Sequence, residues 1–178
     1  MNLKICVAGK ICSGKSTLVR AISSHIDFPI ISFGGILRDY SLDNGLSIAR
    51  KDLQEFGQNL IDQLGFEGFL RWSMSHSVIS WDNSIIIDGL RHREIYWHIL
   101  QMFPQTFLVY CGCDLKTQIS RLMTRDDMGE LEAERIILHK TEMGVEELRA
   151  EAQLIFQPDY PIRDFLNELD DIISQVRK

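Results

Sequence analysis

Two periodicities alternate along this chain. Residues 3–8, 84–88 and 106–110 are short, nearly unbroken apolar runs, the pattern of strands covered on both faces in a parallel sheet. Residues 29–32 and 160–162 predict two further short strands. Between these runs, apolar positions recur at helical spacing. Leu53, Phe56, Leu60, Ile61 and Leu64 mark a helix over 51–64. Leu115, Ile119, Leu122 and Met123 mark another over 114–125, with Asp114 placed as its N-cap. Leu166, Leu169, Ile172, Ile173 and Val176 mark the last, with Asp164 as the expected cap. Such alternation predicts an α/β fold, three layers deep (α/β/α), around about five parallel strands. Far more residues separate the second and third strands than one crossover helix needs. They predict a helical lobe inserted at residues 35–80, over the sheet edge where open α/β folds take their ligands. No repeat or low-complexity tract divides the sequence, so residues 1–178 read as one domain.

Candidate chemistry sits at the ends of the predicted strands. Residues 9–16, directly after the first run, read G-x-x-x-x-G-K-S, and Thr17 opens a helical pattern. Strand, loop, helix is the context that this phosphate-binding loop requires. Gly9 and Gly14 let the backbone curl, so that amides of Ile11, Cys12, Ser13, Gly14, Lys15, Ser16 and Thr17 can converge on an anion. The helix that follows adds its N-terminal partial charge. Lys15 can reach the outer phosphates and the Ser16 hydroxyl can ligate Mg²⁺. The implied ligand is a nucleoside triphosphate, with ATP as co-substrate and Mg²⁺ as cofactor.

The third strand ends Asp88-Gly89-Leu90-Arg91-His92-Arg93-Glu94. A carboxylate closing a buried run is expensive without a task. Asp88 therefore reads as an acid beside the Mg²⁺ site, the alternative being a cap for a helix that starts near Arg91. The Arg91 guanidinium, within one turn, matches a phosphate bidentately. For His92 and Arg93 a solvated helix start is an equal account, and Glu94 suits a first helical turn. After the second strand, Ser32-Phe33-Gly34-Gly35 leads into a helix bearing Arg38. Arg121 and Arg125 share one helix face at i, i+4 and can close over a triphosphate. Arg135, His139 and Lys140 follow in a polar stretch that can serve as a short lid over residues 125–142.

Composition narrows the classes. A formal net charge of −6 disfavours non-specific nucleic-acid binding. No apolar run suits a secretory signal or a membrane span, which points to a cytoplasmic protein. Cys6, Cys12, Cys111 and Cys113 form neither a C-x-x-C pair nor a zinc pattern; Cys6 and Cys111 read as buried thiols, while Cys12 lies inside the phosphate loop. Trp72, Trp81 and Trp97 read as packing residues.

G-x-x-x-x-G-K-S, I-S-F-G-G-I-L-R, I-I-I-D-G-L-R and R-x-x-x-R occur in an order that resembles the P-loop nucleoside monophosphate kinases, including the dephospho-CoA-kinase-like proteins. The resemblance implies a P-loop kinase fold with an acceptor-binding helical lobe. It implies transfer from ATP to a small phosphorylated acceptor, foremost a (deoxy)nucleoside monophosphate, by a monomer or homodimer. Lys15, Asp88, Arg121 and Arg125 would be catalytic, Ser16 and Asp88 would hold metal, and Arg38 and Arg91 would bind the acceptor. The sequence departs from the pattern at Gly34-Gly35, where the family carries Gly-Asp, at Arg91, one place earlier than in D-G-F-P-R, and in lacking a long Gly-rich lid. Transfer to a hydroxyl, with Asp88 or Asp39 as base, and a regulatory NTPase switch are the other classes compatible with these residues.

Overall fold

The order β2-β3-β1-β4-β5 describes a single sheet in which every pairing is parallel. Its strands are β1 (Lys4–Ala8), β2 (Ile30–Ser32), β3 (Ile85–Leu90), β4 (Thr106–Cys111) and β5 (Leu154–Phe156). The computed structural model describes residues 2–138 and 140–176, and the side chains of all of these except 140–143. β1 and β4 are buried at every position. Their uninterrupted apolar runs follow from this, because neither face meets water.

Side chains of β1 alternate between two cores. Ile5 and Val7 pack with Leu18, Val19 and Ile22 of α1 (Lys15–Ile26) and with Phe165 and Leu169 of α8 (Ile162–Val176). Cys6 and Ala8 face the opposite layer. That layer holds α2 (Phe33–Asp43), α3 (Arg50–Ser75), α4 (Arg93–Met102) and α7 (Lys140–Glu147). α5 (Leu115–Asp126) and α6 (Glu130–Ile137) close a smaller core around Leu122, Ala133 and Ile137, which also takes Ile11 of the phosphate loop. Cys6 and Cys111 are buried, free thiols.

Three expectations need correction. The fifth strand is not at 160–162 but at Leu154–Phe156, where Tyr110 pairs with Ile155. Residues 157–161 instead form a turn, closed by Tyr160 N donating to Gln157 O at 3.0 Å. Asp164 does not cap α8 but lies in its first turn. Its amide already donates to Pro161 O, so the proline starts the helix. The helix expected over 51–64 continues as α3 to Ser75, across a break at Gly65 (φ 72°, ψ 174°). Beyond that break Phe69 and Leu70 renew the buried face. Of the tryptophans, Trp81 is buried and Trp72 packs against the core, whereas Trp97 is 42% exposed under the Arg93 guanidinium.

Candidate phosphoryl-transfer site

The loop between β1 and α1 is shaped by close approach. A Cβ at Gly9 would stand 2.6 Å from the Cys111 carbonyl oxygen, so only glycine lets β1 and β4 run this near each other into the loop. Gly14 is the α1 N-cap with φ 98°, and no side chain bonds to the first-turn amides of α1. With Thr17 N turned back to Gly14 O at 2.9 Å, the capacity of this helix start for an anion rests on the amides ahead of Thr17, at the positive end of the helix. Cys12 itself holds a left-handed φ of 58°. Its carbonyl accepts from Arg121 Nη1 at 3.1 Å. Cys111 Sγ donates to Ser13 O at 3.4 Å, and the buried Ser13 hydroxyl has no hydrogen-bond partner among the described residues.

Lys15 Nζ lies 2.8 Å from Asp88 Oδ1, with both side chains under a fifth exposed. The structure does not bear out the reading of Asp88 as a helix cap. The helix after β3 begins at Arg93 with His92 at its N-cap and no side-chain cap, whereas Asp88 faces the phosphate loop. Glu94 occupies the first turn of that helix, and Arg93 pairs with Glu151 at 2.7 Å. Ser16 is exposed in the first turn of α1. Ser16 and Asp88 are hard oxygen donors. Among the described residues no three His, Cys, Asp or Glu side chains gather as a metal cage. Such a donor set fits Mg²⁺, which takes most of its ligands from phosphate oxygens and water.

Two cavities open at this edge of the sheet. One, of about 730 Å³, contains the whole loop from Gly9 to Thr17, with Arg121, Arg125, Phe156 and Pro158 also in its lining. Arg125 is folded onto Asp126 through two bonds of 2.6 Å. The other cavity, of about 590 Å³, lies between α2, α3 and the end of β3. Its floor is apolar (Leu37, Leu53, Phe69, Ile95), Gln54 and Gln58 stand one helical turn apart above it, and Arg38 lines its mouth. His92, whose imidazole is shifted down from its ordinary pKa chiefly by burial, lines it too. Arg91 and Arg50 belong to the lining of both cavities.

The predicted residues thus fall into two groups that meet. Gly9, Ile11, Cys12, Ser13, Gly14, Lys15, Ser16, Thr17, Arg121 and Arg125 line the loop cavity. Arg38 lines the second, and Arg91 joins them. Asp39 lines neither, and Arg135 is exposed on α6 away from both. His139 lies outside the described residues, as does the side chain of Lys140. Sequence reasoning missed Arg50, Gln54, Gln58, Phe156 and Pro158. Arg50 differs in no local way from a surface arginine at a helix start, and Phe156 and Pro158 were hidden by the misplaced fifth strand. It also missed a tether on the loop: Lys10 pairs with Glu146 of α7 at 3.1 Å, and Tyr110 donates to the same carboxylate at 2.9 Å. Burial would raise the Glu146 carboxyl, but these bonds outweigh it and hold the group below its ordinary value.

A family model for the AAA domain (AAA_18) matches residues 5–138, from β1 through α6. The chain belongs to this P-loop family. A Caenorhabditis elegans protein is similar to this AAA domain at 22% identity, covering 99% of the chain and 84% of its own length. UPF0200 proteins of Thermoplasma volcanium and Thermococcus kodakarensis are 25% and 26% identical over 68% and 59% of the chain. The chain spans only 66% and 57% of those two archaeal relatives. Among solved structures, shikimate kinase from Aquifex aeolicus superposes with a TM-score of 0.56 at 19% identity, over 97% of both chains. A gluconokinase from Sinorhizobium meliloti gives 0.53 at 15%, covering 94% of this chain and 89% of that one. The fold is thus one that P-loop kinases share. Among the described residues, no helix is long and apolar enough to cross a membrane.

Proposed function

We propose that this AAA domain is an ATP- and Mg²⁺-dependent phosphotransferase that moves the γ-phosphoryl group to a small phosphorylated acceptor, namely a nucleoside or deoxynucleoside monophosphate, in the cytoplasm. The observation that carries this reading is the second cavity. It adjoins the phosphate loop, and its described lining contains three arginines and no carboxylate. A phosphate acceptor needs that charge and needs no base, whereas a hydroxyl acceptor calls for a base. The apolar part of the lining, with Gln54 and Gln58 beside it, suits a heteroaromatic ring whose edge carries hydrogen-bond donors and acceptors.

Each residue then has a task. The amides of the phosphate loop cradle the triphosphate, and Lys15, oriented by Asp88, neutralises its outer oxygens. Arg121, Phe156 and Pro158 line the loop cavity together, a cationic and apolar lining that suits a purine. Ser16 and Asp88 would hold Mg²⁺, which supplies charge neutralisation on the phosphates when bound. Arg38 and Arg91 align the acceptor phosphate for in-line attack. Residues 35–80 act as the acceptor lobe and residues 125–142 as the lid of one domain.

The test is incubation with ATP and Mg²⁺ plus a panel of nucleoside monophosphates, deoxynucleoside monophosphates and dephospho-CoA. The expected product is a nucleoside diphosphate formed in step with ADP. Phosphorylation of dephospho-CoA alone would move the reaction to a hydroxyl acceptor. ATP hydrolysis with no phosphorylated acceptor would replace this reading with an NTPase switch.

A further inference from the structure

Arg50 is the first residue of α3, and a cation in the first turn opposes the helix dipole. The helix dipole therefore gives this cation no support at its place. The turn before it is pinned. Ala49 N donates to Ser47 Oγ at 3.2 Å, and the same hydroxyl bonds the Asp52 carboxylate. The helix start is thereby fixed where the acceptor cavity meets the phosphate loop. Arg50 lines both cavities. Its charge also reaches across the cleft. The Asp126 carboxyl, held down first by its bonds to Arg125, is lowered further by Arg50. The Cys12 thiol, raised by burial, is countered by Arg125, Arg50 and Arg121.

We propose that Arg50 is a catalytic residue that binds the phosphoryl group in flight, carried to the phosphate loop by the acceptor lobe itself. The inference rests on the phosphotransferase reading above. An oxygen of the acceptor phosphate forms a bond to the γ-phosphorus while the bond from that phosphorus to the β,γ-bridging oxygen breaks. Its electron pair leaves with ADP, and no proton need move. Charge spreads over the equatorial oxygens during transfer, and a guanidinium between the two cavities meets it there. Because the arginine belongs to α3, it engages in full when the acceptor lobe is in place, which couples transfer to acceptor binding and suppresses hydrolysis.

The experiment compares wild type with Arg50→Ala, Arg50→Lys and Arg50→Gln, using the panel member that wild type phosphorylates. It reads kcat, acceptor KM and the affinity of a fluorescent ATP analogue, with melting curves confirming that each variant folds. Arg50→Ala is expected to lower kcat about 10²–10³-fold, with analogue affinity and acceptor KM each within about threefold, the pattern of an interaction made in the transition state. Arg50→Lys should recover no more than about a tenth of the lost rate, because a point charge does not reproduce the planar fork. A raised acceptor KM at near-wild-type kcat would make Arg50 an acceptor ligand instead and overturn the proposal, as would wild-type kinetics in all three variants. If wild type phosphorylates no acceptor, the phosphotransferase reading itself falls, a result distinct from the other two.

Discussion

Lys15 and Arg38 carry the same charge on opposite sides of the transfer site, and their surroundings give them different tasks. Lys15 is partly buried against Asp88, so removing it strands a carboxylate beside the phosphate loop as well as deleting a cation. Lys15→Ala is expected to reduce acceptor phosphorylation by at least about 10²-fold. Arg38 is exposed and lines the second cavity, and in the proposed reaction it would meet the acceptor phosphate. Arg38→Ala should raise acceptor KM about 10- to 100-fold, the worth of one charge-assisted pair, while kcat stays within a few-fold of wild type. Steady-state titration of the acceptor separates the two effects, and unchanged acceptor kinetics in Arg38→Ala would remove that residue from the site.

Arg38 can hold its place only if α2 does. That helix begins where β2 ends, and its N-cap is Ser32, whose hydroxyl accepts from Gly35 N at 3.3 Å. Ser32→Ala is expected to lower stability by about 1 kcal/mol, and Ser32→Thr to restore most of it. Urea unfolding followed by circular dichroism measures this, and an Ala variant as stable as wild type would show that the cap contributes nothing. The same positions are where the sequence carries Gly34-Gly35 in place of the Gly-Asp expected by resemblance. Gly34 and Gly35 sit at the first turn of α2, in the lining of the second cavity and beside the cap, while the carboxylate that pairs with Lys15 comes from β3 as Asp88. The acid at the strand end stood out in the sequence, because a charge that closes a buried run is costly without a partner, and Lys15 is that partner.

At the opposite end of the sheet from the transfer site, Lys4 is buried at the start of β1. Its Nζ donates to Asn83 O at 2.5 Å and to the Asn2 carboxamide, and lies 4.5 Å from the centre of the Phe103 ring. Burial, only partly offset by Asp82, pushes its pKa from 10.5 down to about 8. Between those values the unfolded chain holds more protons than the folded one, so this group makes stability rise as pH increases from 8 to 10.5. Below pH 8 its full penalty is felt. Relative to Lys4→Met, the wild type should gain up to about 3 kcal/mol over that window, read as the difference in urea midpoints. A pH-independent difference would show that the buried amine keeps its ordinary titration.

Contiguous residues dictate the parallel α/β class, the phosphate loop and the acid at the end of β3, since the spacing of each is fixed by backbone geometry. The two arginines of α5 were legible for the same reason, being one turn apart. The fifth strand was not, because three residues at a sheet edge carry too short a pattern to outweigh neighbouring prolines. Arg50, Gln54 and Gln58 were not legible either. They lie far along the chain from the phosphate loop, and only the packing of α3 against α2 and β3 brings them to the cleft. Where donor and acceptor cavities meet was decided by tertiary structure, because a shared wall between two sites is a relation among distant elements and leaves no periodic trace in any one of them.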